Sequence, residues 1–133
     1  MEINYDYETT MKKGFPQIRK LGAVSPNGEA SPFVWKGKLM RLELEDVSRG
    51  TDSKIVTHAL IRDRESGEIL SCFGEGCYYY SFYMEKDTAY VLGTESQAPR
   101  LCGDTIRIFE SRDLLHWESR VLLENPGWSY YNT

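Results

Sequence analysis

Glu29, Glu75 and Asp104 are carboxylates that accept hydrogen bonds from hydroxyl groups, and Arg100 donates from a planar fork. Ser31 and Asn132 both donate and accept. Tyr78, Tyr79, Tyr80, Tyr130 and Tyr131 add flat apolar faces that end in a hydroxyl. A ligand with a polar rim and an apolar ring face matches this set, and a sugar is such a ligand. His58 and His116 lack a metal-ligand pattern, and no phosphate loop, nucleophile elbow or zinc helix motif is present. No cofactor and no metal are therefore expected. These residues are scattered along the chain, so their chemistry depends on a fold that gathers them.

The stretch from Asp104 to Trp117 indicates what kind of fold that is. Ile106, Ile108 and Glu110 alternate with Arg107 and Phe109, the period of a strand. Ser111, Arg112 and Asp113 supply turn chemistry, and Trp117 is placed to fold back over the turn. Thr57 to Asp63 lies over Thr105 to Ser111 at an offset of 48 residues. Pro32 to Leu42 lies over Ser81 to Leu92 at an offset of 49 at Phe33 and Phe82, with one extra residue expected in the second hairpin turn. Two strand pairs per repeat predict four-stranded antiparallel β-propeller blades.

Strands are expected over 29–36, 38–44, 57–63 and 68–73, and again over 78–85, 88–94, 104–111 and 118–123, with no helix longer than a turn or two. The organisation that follows is a lead-in at 1–28, a first blade at 29–76, a second at 77–127 and the start of a third at 128–133. A ring needs at least about four blades, and two alone leave an apolar face bare at each end. The 133 residues thus read as a fragment, with the remaining blades or self-association as expected partners. Up-and-down connections put the long links 45–56 and 95–103 on one end of the sheets. That end also receives Glu29, Ser31, Arg49, Asp52, Glu75, Arg100, Asp104 and Asn132. The run Tyr78 to Tyr83 reads first as blade packing and second as a platform for a sugar ring.

Charge narrows the partners. Sixteen basic against twenty acidic residues leave a net −4, with no footprint for nucleic acid or an anionic membrane. No run of about 18 apolar residues is present, and the N-terminus lacks the basic and apolar regions of a signal peptide. Cys72, Cys77 and Cys102 form no disulfide framework, and Cys72 and Cys77 are candidate neighbours across a loop. A reducing, cytoplasmic setting is the expectation.

Ser111-Arg112-Asp113-Leu114-Leu115-His116-Trp117 resembles the Ser-x-Asp-Leu-x-x-Trp blade motif of five-bladed β-propeller glycosidases and related phosphorylases, the arabinanase, invertase and mannoside phosphorylase group. Glu29 to Lys38 is similar to the opening of their first blade, and the resemblance covers roughly 27–133. It implies a glycoside hydrolase-like enzyme that breaks glycosidic bonds with paired carboxylates at the mouth of a central channel. Where the family has Asp-Pro this chain has Ser31-Pro32, and serine cannot act as the base. Glu29, two residues earlier on the same side of an extended strand, and Glu75 are then the catalytic candidates. Such a pair works at about 5 Å for retention or roughly 6.5 to 9.5 Å for inversion. Ser31, Arg100, Asp104, Tyr131 and Asn132 would bind the sugar. The alternative is a non-catalytic propeller that binds carbohydrate or a protein through the same end.

Overall fold

A computed structural model describes residues 29–46, 57–96 and 103–131. Its eight strands are β1 (Ala30–Trp35), β2 (Lys38–Asp46), β3 (Thr57–Asp63), β4 (Ile69–Phe73), β5 (Cys77–Glu85), β6 (Thr88–Glu95), β7 (Thr105–Ser111) and β8 (Glu118–Glu124). Among the described residues there is no helix. The strands form two four-stranded antiparallel sheets, ordered β1-β2-β3-β4 and β5-β6-β7-β8. Neither sheet closes on itself.

Local chemistry explains the turns. Lys36 and Gly37 both take positive φ, 47° and 81°, which a two-residue hairpin turn requires so that its twist matches the strands. Asp63 Oδ1 accepts from Glu65 N at 2.8 Å and Ser66 N at 3.0 Å, closing the β3–β4 turn. Ser111 Oγ does the same between β7 and β8, accepting from Asp113 N at 3.3 Å and Leu114 N at 2.9 Å. Asp113 Oδ1 then accepts from Leu115 N and His116 N, each at 2.8 Å. Short oxygen-bearing side chains thus replace the backbone partners that the turns lack.

The core lies between the sheets. The front of the first sheet, turned towards the second, carries Phe33, Met40, Leu42, Ala59 and Ile61, all buried. The rear of the second carries Phe82, Ala89, Val91 and Phe109. Phe33 stacks on Phe82 with ring centroids 3.8 Å apart. Trp117 folds back over its turn, donating from Nε1 to Leu114 O at 3.3 Å. It also reaches across to the first sheet, stacking on Phe73 at 4.0 Å and donating to Ser71 Oγ at 3.0 Å.

The repeat expected from the sequence is present, but its residue equivalences differ. Trp35 pairs with Lys38 and Glu85 with Thr88, so both inner hairpins turn through two residues and the second turn holds no extra one. Counting back from the turns, Phe33 corresponds to Tyr83 rather than Phe82, an offset of 50. Leu42 pairs with Ile61 and Leu92 with Ile108, so β3 corresponds to β7 at an offset of 47 rather than 48. The matches of β1 to β5 and of β3 to β7 are thus one residue out, that of Leu42 to Leu92 in β2 and β6 holds, and in a strand one residue exchanges the two faces. Phe33 and Phe82 are opposing surfaces of one interface, not copies of each other.

Candidate functional site

The starts of β1, β3, β5 and β7 and the ends of β2, β4, β6 and β8 share one end of the sheets. Glu29 is exposed there, just ahead of β1, and its backbone is fixed by Leu44 N donating to Glu29 O at 3.1 Å. Ser31, half-buried, lines a narrow crevice with Glu29, Leu42, Leu44 and Tyr80. Asp46 ends β2 beside Tyr78. Tyr79 adopts φ 55° where the β5–β6 register shifts, between Tyr78 and Ser81. Its ring centroid stands 6.0 Å from that of Tyr78 and 5.6 Å from that of Tyr131. Tyr131 itself is 60% exposed.

The electrostatics of this cluster follow from burial and like charge. Tyr78 is pushed up to about 12, first by burial, then by the Asp46 carboxylate and Tyr79, with Glu29 adding a smaller share. Its hydroxyl sits beside Asp46. Tyr78 therefore stays a neutral phenol at ordinary pH. Tyr80 is a packing residue: its hydroxyl donates to Gly74 O at 2.6 Å, and its ring covers Gly93.

The other expected residues stand apart from this cluster. Glu75 is exposed at the tip of the β4–β5 link, which is pinned over β3 by Gly76 N donating to Thr57 O at 3.0 Å. Asp104 precedes β7, where Oδ1 accepts from Thr105 Oγ1 at 3.1 Å and its backbone carbonyl from Asn125 N at 3.0 Å. Arg49, Asp52, Arg100 and Asn132 lie outside the described residues. Glu29, Ser31 and Tyr131 thus share the inner-strand side, while Glu75 and Asp104 sit over third strands. Asp46 is a member that sequence reasoning missed. The polarity of Glu45 and Asp46 reads as the start of a link after Leu44, whereas β2 runs two residues further, to Asp46.

Two larger clefts open at the opposite, short-turn end. One runs along Gly37, Leu39, Asp63 and Arg64, and the other between Glu110, Asp113 and His116. In each of them one carboxylate, Asp63 in the first and Asp113 in the second, is already engaged in holding its turn together. Asp113 is kept well below the usual carboxylate range, first by the His116 ring nitrogen 2.7 Å away and then by the His116 and Leu115 N–H groups. Asp63 is lowered by the N–H groups of Ser66 and Glu65.

Cys72 and Cys77 are free thiols on opposite faces of the first sheet: Cys72 pairs with Leu60 on the rear, and Cys77 is buried in the inter-sheet core. Burial pushes the Cys77 thiol up to about 12. Among the described residues no group of three His, Cys, Asp or Glu is placed to hold a metal ion. No family model, curated protein or solved structure matches the chain.

Proposed function

We propose that this chain is a β-propeller portion whose long-connection end binds carbohydrate. The observation that carries the reading is the chain of rings Tyr78, Tyr79 and Tyr131, with centroids 6.0 and 5.6 Å apart, and the carboxylates of Asp46 and Glu29 that act on Tyr78 at its head. The rings offer apolar faces to a sugar ring, the carboxylates accept from its hydroxyls, and the neutral Tyr78 phenol lies among them. Two like repeats of four antiparallel strands, packed face to face, support the propeller part.

Hydrolysis of glycosidic bonds is the second reading, favoured by the exposed Glu29 at the mouth of an inner strand. Glu75 stands over β3, and two strand spacings amount to roughly 10 Å, at or past the upper limit for a catalytic pair. Binding is therefore the reading we place first. Calorimetric titration with a panel of neutral oligosaccharides tests it. Tyr79→Ala and Tyr131→Ala are each expected to weaken binding about fivefold, the equivalent of roughly 1 kcal/mol of stacking. Absence of binding across the panel, or binding untouched by both substitutions, defeats the reading. Release of aryl leaving groups from glycosides, lost in Glu29→Gln, is the result that promotes the second reading.

A further inference from the structure

We infer that the front face of the second sheet is the seat of a third four-stranded sheet, and that the first sheet of another copy of this chain does not fit there. The inference rests on the propeller half of the reading above and not on the carbohydrate half.

Register equivalence is the starting point. Phe33, Met40, Leu42 and Ile61 form the front of the first sheet, and each is at most 9% exposed because the second sheet covers it. Their counterparts by strand pairing are Tyr83, Tyr90, Leu92 and Ile108. These point away from the first sheet, since Phe82 and Val91, their neighbours of opposite parity, are the ones that meet it. Tyr83 is 62% exposed, and Tyr90, Leu92 and Ile108 are only partly buried. Tyr83 and Tyr90 stack on each other with centroids 6.3 Å apart, forming an aromatic surface with nothing described on top of it.

The packing is front-to-rear, and such a contact is heterologous: it leaves a free front that repeats the occupied one. The chain after β8 also retraces the link after β4. Gly76 N donates to Thr57 O at the start of β3, and Tyr130 N donates to Gly103 O just ahead of β7. Both links thus cross from the outer strand, over the third strand, towards the inner one, where Tyr131 meets Tyr79.

The chemistry of the occupant follows from the rear that already fills this role. Ala89 and Val91 are small on the second strand, the Tyr80 ring covers Gly93, and Phe82 and Phe109 flank them on either side. The rear of the first sheet is different. Glu43 is fully buried there, with Arg41 Nε 2.9 Å and Arg62 Nε 3.1 Å from its oxygens. Pressing Tyr83 and Leu92 onto that cluster would set apolar groups against desolvated charge, so a head-to-tail ring of copies is disfavoured.

Thermal unfolding of extended chains tests the inference. One carries a second copy of residues 77–131 after Thr133; the other carries a second copy of residues 29–73. The first is expected to unfold in one transition, roughly 5 °C or more above the unextended chain, and Leu92→Lys in the original sheet removes the gain. The second extension gives no gain. Equal gains, or none from either extension, overturn the proposal. So does light scattering that finds the unextended chain dimeric and Leu92→Lys monomeric, because a second copy is then the occupant. No carbohydrate enters these measurements, so a failed sugar titration leaves them standing, and their failure leaves sugar binding untouched.

Discussion

Tyr80 is held by absences. A Cβ at Gly93 would lie 2.9 Å from Tyr80 Cε1 and 3.1 Å from Cys77 Cβ, and one at Gly74 would lie 2.9 Å from the Tyr80 hydroxyl. The Tyr80 ring is tethered by its bond to Gly74 O, so it cannot swing clear without breaking that bond. Gly93→Ala is expected to cost about 1 to 3 kcal/mol by overpacking, read as a lower denaturation midpoint with unchanged slope. Single residues also set the acid limit. Asp63 and Asp113 titrate lower in the folded chain than the usual carboxylate value of about 3.9. Their contribution is fully present above that pH and is lost as pH falls towards their folded values. Urea midpoints between about pH 5 and pH 2 should therefore decline, and more shallowly in Asp63→Asn and Asp113→Asn. A decline of the same steepness in both variants assigns the acid sensitivity to other groups.

Between elements, Trp117 joins the two sheets through one ring and one N–H. Trp117→Phe keeps an aromatic face against Phe73 but loses the bond to Ser71, an expected cost of about 1 kcal/mol. Trp117→Ala loses both and is expected to cost about 3 kcal/mol or more. Equal losses for the two variants, by chemical denaturation, mean that the stack contributes nothing. The strands themselves were legible in the sequence, because alternation and turn chemistry are local: Ile106 to Glu110 and Ser111 to Asp113 stand as expected. Their faces were not legible. Phe33 and Phe82 share a residue type and stack on each other, so a match by type pairs two opposing surfaces instead of two repeat positions. Register is fixed by pairing with a neighbouring strand, which no single segment records. The long-connection end was foreseen as a whole, and it gathers Glu29, Ser31 and Tyr131. Glu75 and Asp104 stand at that end as well, but over third strands, because which strand a link crosses is set by hydrogen bonds such as Gly76 N to Thr57 O. Asp46 and the buried Glu43, with its two arginines, gave no local signal at all.

At the scale of the molecule, two sheets of one design pack front to rear, and their strand ends define two unlike surfaces. At the short-turn end Asp63 and Asp113 bind their own turn backbone. At the long-connection end, the carboxylates of Asp46 and Glu29 act on Tyr78, whose ring neighbours the Tyr79 and Tyr131 pair. The net charge of the chain is only −4, so selection of a ligand rests on this local geometry rather than on a long-range field. Amide chemical-shift mapping by NMR during titration with a neutral oligosaccharide is the most direct test of the central claim. The expected result is a contiguous set of shifts at Glu29, Asp46, Tyr79 and Tyr131, with the turns at Asp63 and Asp113 unmoved. Shifts confined to the short-turn clefts, or none at millimolar sugar, contradict it.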